Sequence, residues 1–333
     1  MVKSFGGMQT VILFAALAAL ASAPLRAEAP AYSLSEYKAY MKVHDAMDPA
    51  EKEALIFDFL DYNAQSSLTA NVLYELQAYL DTLFKEGRLD QAAVAAKRAL
   101  DYHPVARDLA ERAMARLCFV RGDWPGFVTY SEMIYKRVPT PRLAAEIAVA
   151  AFKSGDTARF ERFTAIVGEK GDTREKADLH FTVFQEHVKA EAAEKALAEA
   201  RVLVGVLDLP EKPADFSGDW NVYQLDVLNP ALGTVGMAHY KAGEWAQAIE
   251  VLQKIVKRNP RDASTYYYLG TAYLKQDSLR LAAENYACAA VLSAGPVSEK
   301  SAEMIRKIIT ATESDERAYD AYLQKAKEKL GLG

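Results

Sequence analysis

Ser35 stands three residues ahead of Lys38, the spacing at which a lysine can take the proton of a nucleophilic serine in acyl transfer. That chemistry needs further groups, and no Lys-Thr-Gly follows anywhere in the chain. Ser33 and Glu36 have the spacing of a capping box, so Ser35-Glu-Tyr-Lys38 is expected as the first turn of a surface helix. Five histidines could ligate a metal or carry protons, but only His180 and His187 share one helix face. They are two turns, roughly 10 Å, apart, while metal–ligand bonds are about 2 Å. Cys118 and Cys288 are the only cysteines. The chain has no H-E-x-x-H, G-x-S-x-G, C-x-x-C or Walker-type loop. No catalytic residue, metal or cofactor is therefore expected.

Every long segment after residue 30 has apolar residues at three- and four-residue spacing, the pattern of amphipathic helices, so the fold class is all-α. The helices recur. From Asn229, Gly236 is followed by Gly243, Trp245, Ala248, Leu252, Ile255 and Pro260. This run resembles the tetratricopeptide repeat (TPR), a helical hairpin of about 34 residues. The next unit follows 34 residues later with Tyr266, Leu269, Gly270, Tyr273, Leu279, Ala282, Tyr286 and Ala289, Asp277 standing where the turn glycine would be. Earlier units run from Leu73 through Gly87, Ala92 and Ala99 to Pro104, through Gly122, Trp124, Phe127, Ile134 and Pro139, and through Ala148, Gly155, Phe160 and Val167.

The resemblance implies a solenoid of helical hairpins. The turn glycines adopt a left-handed conformation that a Cβ resists, and the prolines end second helices. Small residues are expected to meet where paired helices cross, Gly236 facing Ala248 and Gly270 facing Ala282. Phe127 and Phe160 break that rule, so their units should be distorted or only TPR-like. Units as distant as those of Cys118 and Cys288 do not touch in a stacked array, so both are expected as buried free thiols. Gly155 and Gly243 are 88 residues apart, one extra repeat plus a surplus. The surplus falls at Leu209–Gly218, rich in proline and glycine and expected as a linker or flexible elbow after helices near 174–191 and 192–207.

The expected organisation is a signal peptide over 1–27, N-terminal helices over 28–72, a TPR-like block over 73–208, a linker over 209–218, a C-terminal TPR block over 219–296 and capping helices over 297–333. Ser33 with Glu36, and Asp48-Pro49 with Glu51, open the N-terminal helices. Ser298 is expected to open the capping segment, with Ile305, Ile308 and Ile309 on one side.

In TPR proteins the first helix of each pair lines a concave groove, and the resemblance carries that role to particular residues here. The twelfth place of successive units holds Phe84, Phe119, Phe152, Tyr240 and Leu274, an apolar column. Arg112 and Tyr267 occupy the fifth place, and Arg116, Met237 and Thr271 the ninth. These ten are the candidate peptide-binding residues, although rings among them could equally fill space between helices. The lysine, asparagine and arginine clamp with which some TPR proteins hold a terminal carboxylate has no counterpart at Gly233, Met237, Tyr267 and Thr271.

Lys3, the apolar run Val11–Ala21 and the small residues up to Ala27 read as a secretory signal peptide, too short in its apolar part for a spanning helix. Cleavage after Ala27 leaves 38 basic against 45 acidic residues, a net charge of −7. That balance disfavours nucleic acid or an anionic membrane surface as partner. The expected function is a non-catalytic scaffold, periplasmic or otherwise exported, that binds a protein or peptide in its groove, in assembly of an envelope or secretion complex. The alternatives are an envelope enzyme or enzyme subunit with an unrecognised site, and a structural spacer.

Overall fold

The computed structural model describes residues 32–312 and 317–332. The segment 1–27, expected as a signal peptide, lies outside the described residues. The chain divides into two compact units at Met114/Ala115.

The first unit contains α1 (Leu34–Asp45), α2 (Pro49–Asn63), α3 (Thr69–Lys85) and α4 (Leu89–Tyr102), and the division falls inside α5 (Arg107–Arg121). Ser33 and Glu36 form the expected capping box, and Asp48 accepts from the backbone N–H groups of Ala50 and Glu51, with Pro49 in the first helical position. Ile56, Phe57, Leu60, Leu76 and Leu83 are buried together with Ala92 and Ala96, whose small side chains let α4 lie close. One polar knot ties three helices. The Glu75 carboxylate on α3 meets Lys52 Nζ on α2 at 2.7 Å and His44 Nδ1 on α1 at 2.8 Å. Burial alone would raise the Glu75 pKa, but the hydrogen bonds and charges of Lys52 and His44 outweigh it and hold the group below the usual carboxylate value.

The second unit continues with α6 (Trp124–Arg137), α7 (Pro141–Ser154), α8 (Thr157–Lys170), α9 (Thr173–Lys189) and α10 (Ala193–Leu207). After the segment 208–219 comes α11 (Trp220–Tyr223), which runs through a π turn (Gln224–Leu228) into α12 (Asn229–Ala242). Then follow α13 (Trp245–Arg258), α14 (Ala263–Lys275), α15 (Leu279–Leu292), α16 (Pro296–Thr312) and α17 (Arg317–Leu330). The described residues contain no strand. Helices pack as neighbours in the chain: α7 with α8, α9 with α10, α12 with α13, α14 with α15. Both α16 and α17 pack against α15, and Ile305, Ile308 and Ile309 are buried there. Ser298 does not open the segment: α16 begins at Pro296, and the Ser298 hydroxyl donates to the Ala290 carbonyl at 2.9 Å.

Gly87, Gly122, Gly155 and Gly243 have φ between +70° and +76°, and Asp277 takes the same turn with φ +56°. The other non-glycine residue with positive φ among the described residues is Glu191, φ +54°, between α9 and α10. It is the turn of a hairpin that the glycine pattern does not reveal, 36 residues after Gly155.

Three expectations are corrected in detail. A Cβ on Gly236 would lie 3.1 Å from Leu252 Cδ2, and one on Gly270 would lie 2.8 Å from the Tyr286 ring. These glycines therefore make room for a large side chain one turn beyond Ala248 and Ala282, which are themselves fully buried. Phe160 does not push its hairpin apart: its ring turns onto Phe152 at 5.5 Å, and α7 and α8 remain packed on each other. The segment 209–218 is no free elbow. Asp215 accepts from the Thr173 backbone and hydroxyl at 3.1 and 2.8 Å, Arg174 Nη1 donates to the Ser217 carbonyl at 3.0 Å, and Phe216 is buried against Trp220 and Tyr223, both rings at 4.9 Å. Tyr223 donates to Asp178 at 2.6 Å, and burial pushes both groups upward in pKa.

Cys118 and Cys288 are free and buried. Burial raises the Cys118 thiol to about 11, with Asp123 adding to the effect, so almost none is thiolate at neutral pH. His180 lies 2.7 Å from Glu199, and His187 packs edge-on against Phe152 at 5.1 Å. Ser35, in the first turn of α1, has Ser33 Oγ at 2.9 Å.

Candidate functional site

All ten candidate residues are half-buried, neither sealed in the core nor standing free. Phe84 and Arg112 lie in the first unit and the other eight in the second. Arg112 is held by Asp108 one turn earlier at 2.8 Å, and Arg116 and Phe84 are likewise engaged with neighbours. The rings of the apolar column close their own hairpins: Phe119 meets Trp124 at 5.8 Å and Phe127 at 5.9 Å, Phe152 meets Phe160, and Tyr240 meets Trp245 at 5.3 Å. An aromatic at the end of a first helix thus clasps one at the start of the second across the left-handed turn. This space-filling role absorbs one side of each ring.

The C-terminal residues converge further. Tyr240 reaches Tyr268 of the next pair at 5.3 Å, Tyr268 touches Tyr267 at 5.8 Å, and Tyr267 touches the buried Tyr286 at 5.6 Å. The Thr271 hydroxyl donates to the Tyr267 carbonyl at 3.1 Å and lies 2.9 Å from Tyr286 Oη. Burial raises the Tyr286 phenol to about 12 and that of Tyr240 in the same direction, so these two hydroxyls stay protonated at neutral pH. Leu274, half-buried at the end of α14, packs against the same core.

Two clefts open beside these residues. Pro230, Gly233 and Met237 on α12 face Val188, Ala193 and Leu197 across a cavity of about 670 Å3. Gly233 adds no side chain to it, and nothing lies within 4 Å of where its Cβ would be. Tyr267 and Tyr268, with Ser264, Pro296, Val297 and Lys300, line a smaller cavity of about 170 Å3. Pro230, Gly233 and Met237 of the α12/α13 pair and Ser264 and Tyr267 of the α14/α15 pair line open space. Missing from the sequence reading is the opposite wall, contributed by the α9–α10 hairpin whose turn is Glu191.

The TPR repeat family model matches residues 236–277, from the middle of α12 to the turn after α14. Residues 236–277 carry the tetratricopeptide-repeat pattern. Among solved structures it is similar to a tetratricopeptide repeat protein from Parabacteroides merdae (12% identity, TM-score 0.37, covering 83% of this chain and 100% of that one). It is also similar to the apo form of RapI (14% identity, TM-score 0.38, covering 77% and 76%) and to the P58(IPK) TPR domain (13% identity, TM-score 0.25, covering 84% and 99%). No curated protein matches it by sequence. The TPR fold suggests a protein–protein interaction scaffold, the coarse role expected above. Among the described residues no group of three His, Cys, Asp or Glu could hold a metal ion, and no helix is long and apolar enough to cross a membrane.

Proposed function

We propose that this protein is a non-catalytic scaffold that receives an apolar side chain of a partner protein in the clefts beside Met237 and Tyr267. One observation carries the reading: in two successive helical pairs, residues at places the resemblance assigns to a groove line cavities instead of packing shut, and Pro230, Met237 and Tyr267 among them are apolar or aromatic, types that dominate protein contacts. The pattern of residues 1–27 supports export to a bacterial periplasm, where the partner would belong to an envelope or secretion complex. N-terminal sequencing of the exported protein should then begin near Glu28, and a protein retaining Met1 would remove this part of the proposal.

A photo-cross-linking residue placed at Met237 should trap a partner, whereas the same residue at Gln247, exposed on the second helix of that pair, should not. Equal labelling at both positions would overturn groove binding. Tyr267→Ala should weaken capture of the trapped partner by roughly thirtyfold, the cost of truncating a hot-spot ring of about 2 kcal/mol. The variant should keep the helical circular dichroism of the parent. Because Tyr267 also touches Tyr286, an unfolded variant would assign the ring to the core.

A further inference from the structure

The stretch that leaves the repeat spacing builds a separate cleft of about 630 Å3, sharing no lining residue with the two described above. Leu209 closes one side just after α10, Leu225 projects into it from the π turn, and Lys254, Lys257 and Arg258 line it from α13. The cations stand at i, i+3 and i+4, so one helix face presents all three. Asp208 is the single carboxylate lining the cleft, and it bridges Lys254 at 2.9 Å and Arg258 at 2.7 Å. Burial works against its charge, but the hydrogen bonds and charges of Lys254 and Arg258 prevail and keep its pKa low. Lys257 is exposed, and no ion pair engages it among the described residues. The chain as a whole has a net charge of −5, so this is a cationic recess on an acidic protein.

Apolar groups share the recess. Leu209 and Leu225 are 39% and 40% exposed, and Val222, one turn before the cleft residue Leu225, is 52% exposed. The π turn keeps Leu225 there: the Asn229 N–H bonds the Gln224 carbonyl five residues back, while the Gln224 side chain is tied inward to the Leu207 carbonyl at 3.0 Å.

We infer that this cleft is a second docking surface, specific for an acidic peptide segment in which a carboxylate neighbours an apolar side chain. The carboxylate would meet the Lys257 ammonium and the apolar group would lie on Leu209 and Leu225. Asp208 decides against a phosphate group, lipid or nucleotide, because a dianion set among these cations would face that fixed negative charge, whereas a single carboxylate beside Lys257 avoids it.

The test uses the full chain and fluorescence anisotropy with two labelled probes, an alternating leucine–glutamate peptide and an alternating leucine–lysine peptide. The acidic probe should bind, more weakly as salt rises, and the basic one should not. Lys257→Glu should weaken the acidic probe at least about fivefold, the upper range for one exposed ion pair, and Leu225→Ser should weaken it without changing its salt dependence. Tyr267→Ala should leave it unchanged, which separates this surface from the groove. Equal binding of both probes, or of the acidic probe by parent and Lys257→Glu proteins of equal melting temperature, would overturn the inference. So would phosphatidylglycerol vesicles bound by the parent and lost in Lys257→Glu while the peptide still binds, which would assign the recess to a lipid headgroup.

Discussion

The pairs α12/α13 and α14/α15 are registered by close contacts at small residues, whereas the stretch from α9 to α11 adds specific polar pairs to its own buried aromatic centre. In the former, Gly236 and Gly270 let Leu252 and Tyr286 press against a bare backbone. In the latter, Thr173 and Arg174 reach a segment more than forty residues away, and Tyr223 reaches Asp178. Small-residue contacts must recur wherever the same crossing recurs, so they leave a periodic trace in the sequence. A hydrogen bond between Thr173 and Asp215 leaves none, because any donor facing any acceptor would serve.

If the irregular stretch is core and not linker, its aromatic centre should matter most. Phe216→Ala removes a buried ring packed on Trp220 and Tyr223 and should cost about 3–5 kcal/mol, read as a lower urea midpoint; a free linker would lose almost nothing. Gly270→Val tests the shape-held side. Its side chain would strike the Tyr286 ring, and overpacking of this kind costs about 1–3 kcal/mol. An unchanged midpoint there would mean that the pair adapts and that the glycine is dispensable.

Glu146, on α7 outside both regions, sharpens the contrast between shape and polarity. Its Oε1 has no hydrogen bond and lies 3.6 Å from Arg142, and burial pushes its carboxyl up to about 7. The folded state therefore holds a proton that the unfolded state has released between pH 4.5 and 7, so stability falls as pH rises through that window. Glu146→Gln should flatten this fall and raise stability above pH 7, by on the order of 1 kcal/mol. Urea midpoints at pH 5 and 8 would check it, and a parallel pH dependence in both proteins would exclude this carboxyl. The smallest effect is expected at Glu191. Relief of its left-handed Cβ strain, about 1 kcal/mol, is partly offset by the chain entropy that glycine adds, so Glu191→Gly should raise the melting temperature only slightly. A loss would show that the carboxylate is held in a favourable contact.

The fold was legible where one residue type is forced by geometry. The glycines at 87, 122, 155 and 243 fix turns that few other residues tolerate, and Ser33 with Glu36 mark a helix start by mutual hydrogen bonds. Asp277 could be recognised because its neighbours kept the register. The break at Glu191 was expected between helices near 174–191 and 192–207, but its left-handed turn was not, since glutamate is an unfavourable choice for that conformation. The repeat register singled out Met237 and Tyr267, which line cavities, but not the wall that α9 and α10 set opposite Met237. Which side of Phe119 or Tyr240 meets a neighbouring ring depends on side-chain rotation, which spacing does not specify.

The π turn at Gln224–Leu228 has one more consequence. Each residue of an α-helix advances the chain by about 100° around the axis, so a turn containing one extra residue lets a continuous helix change the direction in which it faces. Trp220 and Tyr223 pack on Phe216 ahead of that turn, while Ala231, Leu232 and Val235 are buried after it. Deleting one residue within 224–228 would shorten the helix by a single step yet swing everything before it by more than a quarter of a revolution relative to α12. The extra residue works as an angular offset, letting an insertion of arbitrary length rejoin a repeat that tolerates no phase error.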